Sequence, residues 1–178
     1  MIVADLLPLA VRLERLHCLP GNPRRGDVDA IARSLDRFGQ HRPIVARRTG
    51  TDDAGNPTGE VIAGNHTLLA AHRLGWEELA VVWVDDDDAT AAGRALADNR
   101  TAELGSYDDA ALADLLATVA DDADLLAATS YDPGDLEALL ESLSTAAEFV
   151  PVEGPGTRLD ERAPVTCPKC GEVFHVQR

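Results

Sequence analysis

The hydrophobic positions of this chain change period along its length, and the changes mark its elements. Pro8 to Leu16 alternates loosely and predicts a first strand followed by a turn. Pro20-Gly21-Asn22-Pro23 is a loop signal. Val28, Ile31, Leu35 and Phe38 then recur at helical spacing behind Asp27, an N-cap residue, and Gly39 ends the stripe. Pro43 to Ala46 reads as a buried strand. Thr49 to Gly59 is rich in Gly, Asp, Asn and Pro and predicts an exposed hairpin loop, with Glu60 to Ala63 as the returning strand. A helix from about Asn65 to Leu74 stops at Gly75. Leu79 to Val84 is nearly all apolar, the pattern of a strand covered on both faces.

Beyond that point only helical patterns follow. Asp85 to Asp88 caps a helix reaching about Asn99. The four carboxylates suit its positive end, and a metal is the other reading of the run. Leu112, Leu115, Leu116 and Val119 mark a helix over 109–120. Leu136, Leu139, Leu140 and Leu143 mark one over 133–143, with Asp132 as N-cap and Pro133 in its first turn. From Thr145 to Pro164 periodicity is lost and Pro, Gly and Glu dominate, as in a linker. The prediction is an α+β domain over 1–105, a helical annex over 106–144, a linker over 145–164 and a small cysteine knuckle over 165–178.

Charge sharpens this division. Residues 1–84 hold ten Arg and Lys against ten Asp and Glu, whereas residues 85–178 hold six against twenty-one. The whole net charge of −15 therefore sits in the second half. That half repels nucleic-acid phosphates, so any DNA contact falls to the first half or to a partner. No apolar run approaches the roughly 20 residues of a membrane span. No secretory signal is recognisable at the N-terminus, and three cysteines fit a reducing compartment, so a cytoplasmic protein is expected.

The most informative local pattern is Val61-Ile62-Ala63 running into Gly64-Asn65-His66-Thr67. A strand meets a glycine and then a helix start, where backbone N–H groups and the helix dipole favour an anion. A bland reading stands beside this one. Asn65 serves equally well as an N-cap, His66 as a surface residue, and Arg24 and Arg25 as partners of carbonyls and carboxylates.

Several segments agree in order with one family. They are Asn22-Pro23-Arg24-Arg25, Gly39-Gln40, Pro43-Ile44-Val45, Ile62-Ala63-Gly64-Asn65-His66, Ala70-Ala71-His72-Arg73-Leu74-Gly75 and Ala97-Asp98-Asn99-Arg100-Thr101-Ala102-Glu103. Over residues 5–105 the chain resembles the ParB/sulfiredoxin-like family, the N-terminal domain of partition proteins, and most closely its phage and mobile-element members. The resemblance implies a nucleotide pocket. Asn22, Arg24, Arg25, Gly64, Asn65, His66, Thr67, Asn99 and Arg100 would contact nucleotide or phosphate, with a nucleoside triphosphate and Mg2+ as cofactors. The departures are equally informative. Where partition proteins carry Gly-Glu-Arg-Arg, this chain has Gly64-Asn65-His66-Thr67, without the phosphate-holding arginine pair. Where sulfiredoxins carry a catalytic cysteine, it has Asn65, which has no thiolate, so sulfiredoxin chemistry is excluded.

Cys167-Pro168-Lys169-Cys170-Gly171 resembles half a zinc ribbon. Three readings stay open: zinc held by Cys167, Cys170, His175 and a further group, a site shared between two chains, or a metal-free remnant. Two functional classes follow. One is a nucleotide- or nucleic-acid-phosphate-binding module in DNA processing, modification or partition. It would act as a homodimer, or recruit a protein such as a DNA methyltransferase through the annex. The other is a metal-dependent nuclease or nucleotide hydrolase using His66 and Asp98. Residues 85–144 hold two arginines against sixteen acids. Operator binding in the manner of partition proteins is therefore not expected there, and the acidic annex also suits DNA mimicry.

Overall fold

A computed structural model describes residues 1–147 and 164–175, with side chains for 1–144 and 166–173. It divides into two compact units, Met1–Leu143 and Ser144–Arg178. The expected linker falls mostly outside the described residues.

The first unit is built on a five-stranded mixed sheet. Its strands are β1 (Ala10–Arg12), β2 (Leu16–Cys18), β3 (Ile44–Thr51), β4 (Pro57–Ala63) and β5 (Glu78–Val84), in spatial order β1-β5-β3-β4-β2. β3 and β4 form the antiparallel hairpin, with a turn at 52–56 shorter than the predicted loop. The outer strands correct the sequence reading. A single strand over 8–16 is expected, but 3-10 turns at Ala4–Leu9 and Leu13–Arg15 divide the segment. The two short strands it forms lie at opposite edges of the sheet. β1 pairs antiparallel with β5, and β2 pairs parallel with β4.

Period-two alternation puts neighbouring residues on opposite faces. Val61 and Ile62 are both buried, and each faces a different helix. Val61 joins Ile44, Ala46, Leu79 and Val81 in a core closed by Leu68 and Ala71 of α2 (Asn65–Arg73). α1 (Val28–Phe38) packs on α2 through Ala32, Leu35 and Ala70. Its Asp27 cap accepts from the N–H groups of Asp29 and Ala30 at 2.9 Å. Ile62 instead meets Ala91 and Ala95 of α3 (Asp88–Glu103). α3 covers this second face only in part: Val82 on β5 remains 40% exposed, where cover on both faces is expected.

Gln40 is the least predictable core residue. It is only 1% exposed. Its Oε1 accepts from the Ala80 N–H at 2.7 Å, and its Nε2 donates to the Ala80 carbonyl at 2.9 Å and the Arg42 carbonyl at 3.1 Å. One amide side chain thus satisfies a β5 residue in both directions, as a neighbouring strand would.

Three more helices complete the unit: α4 (Asp109–Val119), α5 (Ala123–Ala128) and α6 (Pro133–Ala147). Asp108, Asp122 and Asp132 cap them, each accepting a backbone N–H three residues on, from Ala111, Leu125 and Asp135. The six-residue α5, too short to show a period, is unexpected from the sequence. It packs on α1. The second unit contains the antiparallel pair β6 (Pro164–Thr166) and β7 (Val173–His175). Among the described residues no helix is long and apolar enough to cross a membrane.

Candidate functional site

The strand-to-helix corner is shaped by one glycine. Gly64 has φ +97°, and a Cβ there would meet Ile44 Cγ2 at 2.4 Å. Only glycine fits without strain. Gly64 rather than Asn65 is the N-cap of α2, and no side chain caps the helix. Asn65 takes a different role. It is 6% exposed, its Oδ1 accepts from the Leu19 N–H at 2.9 Å, and its Nδ2 donates to the Ile62 carbonyl at 3.5 Å. The residue is therefore a buried tie between the corner and the loop after β2.

His66 makes a second tie. Its Nε2 accepts from the Gly26 N–H at 2.8 Å, so the ring proton of the neutral form lies on Nδ1. A Cβ on Gly26 would stand 2.9 Å from the ring. Asn65 and His66 together hold the segment from Leu19 to Gly26 against the corner. Thr67 opens on another side, into a groove with Ile31 and Ser130.

The loop held in this way forms one wall of a cleft, and α3 forms the other. The inner chamber, of about 410 Å³, is lined by Leu19, Pro20, Gly21, Asn22 and Pro23 on the loop side. Ala92, Ala95, Leu96 and Asn99 face them, and Arg47, Glu60 and Asp88 close one end. The outer chamber, of about 460 Å³, is lined by Pro23, Arg24, Arg25, Leu96, Asn99, Arg100 and Glu103. Pro23, Leu96 and Asn99 line both, so the chambers form one continuous cleft.

The two ends differ in charge. At the inner end Arg47, 14% exposed, bonds Glu60 at 2.7 Å and Asp88 at 2.5 Å. The hydrogen bond that Arg47 donates to Asp88, then that to Glu60, holds the guanidinium above its ordinary pKa. At the outer end Glu103 bonds Arg24 at 2.8 Å and Arg100 at 3.4 Å, while Arg25 also lines the chamber. Asn22 Oδ1 accepts from the Arg24 N–H at 3.0 Å and fixes the bend before the arginines. The Asn99 amide donates to the Ala95 carbonyl at 2.7 Å, leaving its oxygen to the cleft.

Asn22, Arg24, Arg25, Asn99 and Arg100 thus come together as expected of a pocket. Gly64, Asn65, His66 and Thr67 lie outside the described lining of this cleft, and so does Asp98. The helix period explains Asp98. Asp88, Ala92, Ala95, Leu96, Asn99 and Glu103 share one face of α3, while Asp98 lies roughly 120° around the axis from Ala92, beyond the edge of that face. Sequence reasoning misses Leu19, Arg47, Glu60 and Asp88. One signal for them was readable: Arg47 and Glu60 face each other across the β3–β4 hairpin.

The four-aspartate run is divided among separate tasks. Asp85 pairs with Arg48 at 2.8 Å, Asp86 with Arg94 at 2.7 Å and Asp88 with Arg47, while Asp87 caps α3 through the Thr90 N–H at 2.7 Å. Among the described residues no three His, Cys, Asp or Glu side chains are grouped to hold a metal. The side chain of His175 lies outside the described residues.

The architecture has a known counterpart. The ParB chromosome-partitioning protein of Caulobacter crescentus, solved with CTP-γ-S, aligns over 78% of this chain and 87% of its own. The TM-score is 0.55 at 17% identity. The fold is ParB-like. A sulfiredoxin from Arabidopsis thaliana aligns over 49% of this chain with a TM-score of 0.37 and 21% identity. In sequence, a nucleoid occlusion protein of Oceanobacillus iheyensis is 27% identical over 95 residues, 51% of this chain. The chain spans about a third of that relative, 32% of its length. No protein-family model matches the chain.

Proposed function

We propose that the cleft binds a nucleotide, and that the protein is a ParB-like regulatory module in DNA processing, modification or partition. The observation that carries this reading is the cleft's polarity. An apolar chamber with amide groups from Asn22 and Asn99 runs into a mouth that gathers Arg24, Arg25 and Arg100 against one carboxylate, Glu103. A base and sugar suit the first and phosphates the second. Arg24 and Arg25 supply, from the loop, cationic groups of the kind that the Gly64–Thr67 corner lacks. The complex of the Caulobacter crescentus ParB with CTP-γ-S supports the same reading.

The hydrolytic alternative has less behind it. The His66 lone pair is engaged by Gly26, and Asp98 lies off the cleft face of α3. Mg2+ would accompany the phosphates. The acidic annex would recruit a protein partner, with a DNA-modifying enzyme of a mobile element as the candidate.

Thermal unfolding tests the nucleotide. CTP, ATP, GTP and their diphosphates with Mg2+ are compared at saturating concentration. A ligand at 100 times its dissociation constant adds about 2.7 kcal/mol, or roughly 8 °C for a unit of this size. Arg25→Ala should abolish most of the shift. If no nucleotide moves the midpoint, the reading fails.

A further inference from the structure

Between β6 and β7 the chain turns tightly through Cys167 to Glu172. The Cys167 N–H donates to the Glu172 carbonyl at 2.8 Å, and the Gly171 N–H to the Cys167 carbonyl at 2.9 Å. The backbone N–H of Lys169, then that of Cys170 and the Cys170 thiol, hold the Cys167 thiol below its ordinary pKa. The turn thus places Cys167 and Cys170 together in one short bend between β6 and β7. Two thiolates on one tetrahedral zinc, each about 2.3 Å from it, stand roughly 3.8 Å apart. A two-residue gap in a tight turn allows this spacing.

A second observation is that the described side chains of the hairpin bury little. Of the side chains described from Thr166 to Val173, all but Cys167 are exposed, and Val173 is 56% exposed. A two-stranded hairpin of this size is marginal in water, and units below about 40 residues usually need a metal, a disulfide or a partner. The two sulfurs are where such a stabiliser would act.

A structural zinc site takes four donors. Among the described residues the hairpin offers two. Cys18 belongs to the other unit, on β2. His175 would bring one chain to three donors and leave a fourth unfilled. Two copies of the hairpin bring four thiolates and leave none. We propose that Cys167 and Cys170 form half of a tetrahedral zinc site, and that a second copy of this chain supplies the other half. On binding, each thiol loses its proton to solvent and zinc gains four sulfur ligands, with no change of oxidation state. Lys169, the chain's one lysine, sits between the two cysteines and offsets part of the negative charge of a four-thiolate centre.

The test uses the full chain purified with zinc, by elemental analysis and light scattering. One zinc per two chains is expected, on a dimer that a strong chelator removes while the far-UV signal of the first unit persists. Cys167→Ser and Cys170→Ser should each remove the zinc, and His175→Ala should leave it. Cobalt in place of zinc should show thiolate charge transfer and a tetrahedral d–d envelope at the same half stoichiometry. That ratio decides the matter even if the chain also dimerises elsewhere. Absence of zinc overturns the site. One zinc per chain that His175→Ala removes overturns the sharing.

Discussion

Replacing Gly64 by alanine tests whether the corner beneath the cleft is set by backbone geometry. Two penalties combine there. An L-residue at φ +97° costs about 1–2 kcal/mol. The added Cβ would also lie 2.4 Å from Ile44 Cγ2, in a core where Ile44 is 3% exposed and cannot move aside freely. Such overpacking costs about 1–3 kcal/mol. Alanine also lowers the entropy of the unfolded chain, a gain of about 0.4–1 kcal/mol. The expected loss is therefore roughly 2–4 kcal/mol. Gly55→Ala is the matched control, because Gly55 has φ +81° and nothing within 4 Å of a built Cβ. It carries the backbone strain and the entropy gain without the collision. Urea unfolding of both variants, at unchanged slope, measures the difference, which should be about 1–3 kcal/mol. Equal midpoints for the two would refute the collision, and with it the claim that Ile44 and Gly64 are locked together.

Other predictions concern the loop, the mouth of the cleft and the caps. Asn65→Ala leaves the half-buried Leu19 N–H unpaired, at a cost of about 1 kcal/mol. Hydrogen exchange at Leu19 should accelerate more than exchange at Val81. Glu103→Gln removes the carboxylate that bonds Arg24 and Arg100. It should tighten nucleotide binding about twofold to fivefold, the size of an exposed ion pair, as read by titration calorimetry. In Asp27 the backbone N–H of Ala30, then that of Asp29, holds the carboxyl below its ordinary pKa. In Asp86 the bond to Arg94 does the same. A lowered folded pKa gives stability that is present above the unfolded value, near pH 4, and is lost as pH falls through the folded one. Asp27→Asn should therefore flatten the acid limb of a pH–stability curve and leave its neutral-to-alkaline shape unchanged.

Where burial and period agree, the fold is readable from the chain. α1 announces itself through Asp27, the apolar stripe and Gly39, and the helix runs between those signals. α2 and α4 are equally plain. The failures lie where partners, not periods, decide. The stretch from Pro8 to Leu16 reads as one strand because its residues alternate as in one. It is divided because Val11 sits beside β5 and Leu16 beside β4, at opposite edges of the sheet. Gln40 looks like a surface residue after a helix end, yet a gap beside Ala80 makes its amide a substitute strand.

The candidate site divides in the same way, and the division bears on function. Asn22, Arg24 and Arg25 are expected at a pocket through the resemblance of their segment to that of partition proteins, and in the structure they line the cleft. Asn65 and His66 were legible as important but not in their roles. A polar residue at a helix start looks alike whether it holds a ligand or a loop. The structure separates the two: Asn65 is buried and bonded to Leu19, and His66 is bonded to Gly26. In a corner that held phosphate directly, these groups would face the ligand. Here they hold the segment whose arginines line the cleft, which on the proposed reading is a positioning role. This view ranks the substitutions. Changes at Asn65 or His66 should lower stability and nucleotide affinity together. Arg25→Ala should lower affinity alone, because no partner within the described residues depends on it. Calorimetric titration beside urea unfolding distinguishes these cases. An Asn65→Ala protein of full stability with lost affinity would return Asn65 to the ligand and overturn the positioning role.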